Sequence, residues 1–129
     1  MTDPRINRPL PFVHPYIFSK NASEFVEFLK NAFSAEETRP TAYSDDGSIQ
    51  NALLQIGQSL FEISSARGEF NQQVLSFHLY TKNVEKLHSH ALKFGCKEKN
   101  KPTKMDYGDL ESWVIDSFGN NWFLATYLD

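Results

Sequence analysis

Cysteine is almost missing from this chain: Cys96 is the only one in 129 residues. A lone thiol makes no intramolecular disulfide, and no paired-cysteine motif is present to hold a structural metal. Cys96 follows Gly95 at the expected end of a helix and reads as a small apolar residue opening a strand; a catalytic thiol would need a base beside it, and none is adjacent in sequence. Long hydrophobic runs are missing as well. No segment approaches the roughly 20 apolar residues that cross a bilayer, and the first five residues lack the apolar stretch of a secretory signal. The expectation is a cytoplasmic protein. Excess positive charge is also absent, with a formal net charge of −3 and basic residues clustered only from Lys97 to Lys104. Neither nucleic acid nor a membrane surface is therefore an expected partner. Finally, no glycine-rich phosphate loop and no Gly-x-Ser-x-Gly elbow occurs, which removes two common routes to catalysis.

What the chain does contain is an internal echo. The run from Tyr16 through Lys20-Asn21 to Leu29 reappears from His78 through Lys82-Asn83 to Ala91, each reading as strand, Lys-Asn, then helix. Ala22, Phe25, Leu29 and Ala32 recur at helical spacing, and so do Val84, Leu87, Ala91 and Phe94. Asn21 and Asn83 stand at cap positions, with Glu24 placed for a capping box. His88 and His90 lie two apart on the second helix, about 200° around its axis; they cannot chelate together and are expected at the surface.

Three strands are expected after each helix, around 36–43, 49–56 and 60–64, then around 96–103, 111–116 and 121–127. The fold class is α+β: two tandem βαβββ modules whose strands form a curved mixed sheet with the helices outside. One domain over residues 1–129 is expected, with module one at about 12–65, a polar linker at 66–73 and module two at about 74–128. The segment from Arg5 to Pro11, with two prolines and no periodicity, is expected as an arm or a disordered end.

Alternation divides each sheet into two faces. If Ile17, Phe61, Ile63, Phe77, Leu79, Trp122 and Leu124 face the helices, the opposite face presents His14, Tyr16, Phe18, Leu60, Glu62 and Ser64 in one half. In the other half it presents Ser76, His78, Tyr80, Asn121, Phe123 and Ala125. Aromatic rings mixed with a few polar groups suit a ligand surface better than a solvated sheet face, where Lys, Glu and Thr dominate.

The paired modules, Pro15-Tyr16-Ile17, Glu27-Phe28-Leu29, Tyr107-Gly108-Asp109 and Asp116-Ser117-Phe118-Gly119-Asn120-Asn121-Trp122 resemble the glyoxalase/bleomycin-resistance/dioxygenase (vicinal oxygen chelate) superfamily, and within it the PhnB-like branch. The resemblance runs from about His14 to Tyr127; Leu110, Ser117 and Asn120 depart from the branch's usual Arg, Pro and His. It implies two half-cups around a small-molecule cavity, a homodimer, and in the enzymes a divalent ion held at four positions. Those positions fall on His14, Glu62, Ser76 and Phe123. His14 and Glu62 are the candidate metal ligands; a phenyl ring cannot coordinate and a serine hydroxyl coordinates poorly, so no cofactor is firmly required. His78, two residues beyond Ser76 on the same face, is the residue that could substitute.

The resulting expectation is a protein that binds a small organic molecule in a concave sheet cavity, with lyase-type chemistry open to it and an incomplete metal site. His14, Glu62 and His78 are the candidate catalytic groups, orienting the ligand or exchanging protons with it. Tyr16, Phe18, Ser76, Tyr80, Trp113 and Phe123 are the candidate ligand-binding residues. Two alternatives stand beside it: a non-catalytic, drug-sequestering dimer of the bleomycin-resistance kind, and a metal-dependent glyoxalase or dioxygenase.

Overall fold

The computed structural model describes residues 2–3 and 7–126; Arg5 of the expected arm and Tyr127 of the last expected strand lie outside the described residues. The chain divides into two compact units, Met1–Gln73 and Val74–Asp129.

The first unit begins with two short antiparallel strands, β1 (Thr2–Asp3) and β2 (Arg8–Pro9). There follow β3 (Tyr16–Ser19), α1 (Ala22–Phe33), β4 (Glu36–Glu37), β5 (Ala42–Tyr43), β6 (Ile49–Ile56) and β7 (Ser59–Ser65). The sheet order is β3-β7-β6-β4, with β5 also on β6; β3 runs parallel to β7 and the other pairs are antiparallel. The strand expected over residues 36–43 is thus two fragments. Pro40 between them has no N–H to donate to a ladder, so pairing with β6 lapses and resumes.

Ala22, Phe25, Leu29 and Ala32 are all buried, and Val26, Phe28 and Phe33 widen the stripe. Helix α1 lies on β3, β6 and β7, over the row in which Ile17, Ile63 and Ala52 sit side by side. Full burial of side chains such as Phe25 and Leu29 contributes about 1.5–3 kcal/mol each. Asn21 makes no side-chain cap bond, contrary to the capping-box expectation; its own N–H instead donates to Ser19 Oγ at 3.1 Å.

The second unit repeats the order: β8 (Ser76–Tyr80), α2 (Val84–Lys93), β9 (Lys97–Lys104), β10 (Leu110–Ile115) and β11 (Asn121–Thr126), with sheet order β8-β11-β10-β9. Again the first strand runs parallel to the last. Helix α2 packs on β9, β10 and β11, against Trp122, Leu124 and Val114, all fully buried. Here Asn83 does cap its helix, accepting from the Lys86 N–H at 3.1 Å.

The buried stripe of α2 differs from the expected one. Val84, His88 and Ala91 are buried, Leu87 is half-buried, and Phe94 remains 41% exposed. His88 is therefore a core residue and not a surface one. Its Nδ1 lies 2.8 Å from Ser112 Oγ and its Nε2 2.7 Å from Glu98 Oε2, so both ring nitrogens have partners and burial leaves neither unsatisfied. His90 is half-buried. Among the described residues no helix is long and apolar enough to cross a membrane.

Candidate functional site

The face of each sheet turned from its helix carries the candidate residues. In the first unit the parallel register places Tyr16 beside Glu62 and Phe18 beside Ser64. His14 Nε2 and Glu62 Oε1 are 2.9 Å apart. The other Glu62 oxygen accepts from Asn51 Nδ2 at 2.8 Å. Asn51 Oδ1 in turn accepts from the Arg39 guanidinium at 2.6 Å. Ser64 Oγ donates to the Gln50 carbonyl at 2.6 Å, so it receives the Tyr16 O–H at 2.8 Å, while Tyr16 accepts weakly from Asn51 at 3.3 Å.

This chain of bonds sets the electrostatics. Burial pushes the Glu62 carboxyl upward, but the bonds from Asn51 and His14, with the positive charge of Arg39, outweigh it and hold the group below its ordinary value. Because a carboxylate only accepts, the neutral His14 ring carries its proton on Nε2. Nδ1 is left with its lone pair, buried and without a hydrogen-bond partner. Beside the network, Tyr16, Phe18 and Phe70 stack with centroids 4.8 and 4.9 Å apart. Tyr16 and Phe70 stay 43% and 46% exposed.

In the second unit Ser76, His78 and Tyr80 lie beside Asn121, Phe123 and Ala125, and these beside Ile115, Trp113 and Glu111. Ser76 Oγ accepts from Asn121 Nδ2 at 3.1 Å, and Asn121 Oδ1 accepts from the Trp113 indole at 2.9 Å. Trp113 and Phe123 stack at 5.6 Å, and the Lys99 ammonium lies 5.6 Å from the Trp113 centroid. His78 Nε2 is 3.7 Å from Glu111 Oε1, and the His78 and Tyr80 rings are 4.7 Å apart. The Tyr107 hydroxyl donates to Glu111 Oε2. That bond, then burial and the neighbouring charges, push the Tyr107 phenol up to about 12.

The expected residues thus gather in two sets: His14, Glu62, Tyr16 and Phe18 in the first unit, and Ser76, His78, Tyr80, Trp113 and Phe123 in the second. Asn51, Glu111, Arg39 and Phe70 are among the participants that carry no sequence expectation. Asn51 is the polar residue between Ile49 and Leu53, a poor strand former whose presence in a half-buried strand is a usable signal. Glu111 lies one pleat from Trp113 on the same face. Arg39 and Phe70 sit in aperiodic segments, and only the fold brings them in.

The donors present do not match the ion that the resemblance implies. His14 and Glu62 are suitable ligand types, but they bond to each other and to Asn51. Ser76 holds an amide, and Phe123 offers no donor and stacks on an indole. Among the described residues no group of three or more His, Cys, Asp or Glu is placed to hold a metal ion. The four positions do not fit a complete resident ion.

No protein-family model and no curated protein matches the sequence. Solved structures match the fold over nearly the whole chain. TioX from a Micromonospora species is 14% identical with a TM-score of 0.71, covering 91% of this chain and 100% of its own. A glyoxalase/bleomycin resistance protein/dioxygenase superfamily member from Sphaerobacter thermophilus is 15% identical with a TM-score of 0.68, covering 91% and 98%. The fosfomycin resistance protein FosX from Mesorhizobium loti is 12% identical with a TM-score of 0.63, covering 92% and 93%. Two βαβββ units in this order, with these neighbours, give the chain the glyoxalase/bleomycin-resistance fold.

Proposed function

We propose that this protein binds a small organic molecule through hydrogen bonds and ring contacts on the open faces of its sheets, and not through a complete resident metal. The observation that carries this reading is the chain Arg39–Asn51–Glu62–His14. It spends two side chains, Arg39 and Asn51, on fixing one carboxylate and the imidazole bonded to it, and leaves His14 Nδ1 as a buried acceptor. A ligand that displaces the groups covering this buried atom can bond there through an O–H or N–H, and in lyase-type chemistry the same atom can then take a proton while Glu62 steadies the imidazolium. Tyr16, locked by bonds on both sides of its hydroxyl, and Phe18 supply ring surface. Placement in the PhnB-like branch rests on Tyr107-Gly108-Asp109 and the turn after Asp116, and assembly as a homodimer belongs to the same reading.

A thermal-shift screen of small organic compounds, run with and without chelator, tests it. A ligand at a hundredfold excess over its Kd stabilises by about 2.7 kcal/mol. Hits are expected to be indifferent to chelator and weakened in Glu62→Gln. Stoichiometric, tight binding of nickel, zinc, manganese or iron that vanishes in His14→Ala would overturn the reading.

A further inference from the structure

Register makes the two units comparable position by position. Along β3, β7 and β6, Tyr16 stands beside Glu62 and Glu62 beside Leu53; along β8, β11 and β10, His78 stands beside Phe123 and Phe123 beside Trp113. Tyr16 thus matches His78, Glu62 matches Phe123, and Asn51 matches Glu111. The second unit has lost the carboxylate of one position and gained another, with an imidazole facing it, one pleat away.

Glu111 is unusual among the acidic residues. Its side chain is only 14% exposed, yet its sole hydrogen bond within 3.5 Å among the described residues is from Tyr107. His78 at 3.7 Å is an ion-pair neighbour too distant for a hydrogen bond. A carboxylate has about four acceptor sites, so this one is short of donors. Beneath it the strand partner is Ala125, flanked on its other side by Tyr80. The walls are aromatic: Tyr107 and His78 stand at the carboxylate, the Tyr80 ring lies 4.7 Å from that of His78, and Trp113 is next along β10. Trp113 already faces a cation, the Lys99 ammonium.

We propose that this part of the second unit is a recognition site for a small organic ammonium ion, with Glu111 as its counter-charge and the rings of Tyr80, Tyr107 and Trp113 as its walls. Charge complementarity selects the class: ring faces and carboxylate lone pairs both attract positive charge, and rings favour a weakly hydrated organic cation. A divalent metal would require more nitrogen and oxygen donors than His78 and Glu111 supply. The Tyr107 hydroxyl occupies the position that a bound ammonium takes against Glu111, and the ligand displaces it.

This proposal rests on the reading of the open faces as ligand surfaces, and its test separates the two. Choline and its neutral counterpart 3,3-dimethylbutan-1-ol are titrated into the full-length protein while the Trp113 indole N–H and the backbone amides of residues 107–113 are followed by NMR. Choline is expected to give saturable shifts there, with the neutral compound at least about tenfold weaker, a difference of about 1.4 kcal/mol. Glu111→Gln should weaken choline by a similar factor, and Glu85→Gln, at an exposed acid on α2, should leave it unchanged. Tyr107→Phe, which leaves the strands intact, should bind choline several-fold more tightly because Glu111 is released. Equal binding of the neutral compound, no saturable shift at millimolar choline, or a Tyr107→Phe variant no tighter than the parent would overturn the site. Screen hits that perturb His14 and Glu62 while choline fails would leave the broader reading standing and remove this one.

Discussion

Cys96 and Asp116 together illustrate how single side chains here serve the fold. The Cys96 thiol is pushed up to about 12, first by burial and then by the charge of Asp116. Since the thiolate is the reactive form, native protein at pH 8 should resist Ellman's reagent, and one thiol per chain should react at once in guanidinium; rapid stoichiometric labelling of the native state would contradict this. Asp116 accepts from the amides of Phe118 and Asn120 at 2.9 Å each, from Asn120 Nδ2 at 3.1 Å, and from the Trp122 indole at 2.9 Å. The Asp-Ser-Phe-Gly-Asn-Asn-Trp run that carries the family resemblance is thus a hydrogen-bonded turn and not a ligand set. Buried apolar residues such as Ile63 and Trp122 were readable because alternation alone assigns their face. The bond from Arg39 to Asn51 was not, because it depends on the path of the chain around Pro40 and on the β6–β7 register.

Among the elements, the two helix starts look alike in sequence and differ in structure. Asn83 caps α2 through its side chain, whereas Asn21 caps α1 by position only. Replacing a bonded cap with alanine costs about 1 kcal/mol. Asn83→Ala should therefore lower the unfolding free energy by about that amount and Asn21→Ala by only a few tenths, as read by urea denaturation; equal losses would refute the distinction. The end of α2 shows why its buried stripe departs from the one expected from spacing. Gly95 adopts φ +98, and a Cβ there would meet Ser117 Oγ at 2.8 Å, so the chain turns sharply at the residue after Phe94. Phe94 is carried away from the sheet, and the next position on the helix face is His88, whose polarity hides a core role that only Ser112 and Glu98 make possible.

Across the whole molecule, the echo between Tyr16–Leu29 and His78–Ala91 was enough to give the element order, because a strand, a capped helix and three further strands each leave their own periodic trace. What the echo could not give was the divergence between the halves, since matched positions such as Glu62 and Phe123 differ in chemistry and not in pattern. One consequence is acid sensitivity located in the first unit, where three carboxyls are held low. A hydrogen bond from Lys30 lowers Glu37, bonds from Ser48 lower Asp46, and the Asn51 and His14 bonds override burial to lower Glu62. Each group binds its proton less readily folded than unfolded, so its stabilisation is complete above the ordinary carboxyl value and is lost as pH falls through the folded one. The melting temperature should accordingly hold level from pH 7 to about 5 and fall below about pH 4.5, the ordinary glutamate value. Glu62→Gln should start lower at pH 7, because the amide keeps only one acceptor oxygen and either His14 or Asn51 loses its partner, and should then fall less steeply, because one proton uptake has been removed. An unchanged acid slope in that variant would mean that Glu62 is no more strongly held in the folded chain than in the unfolded one.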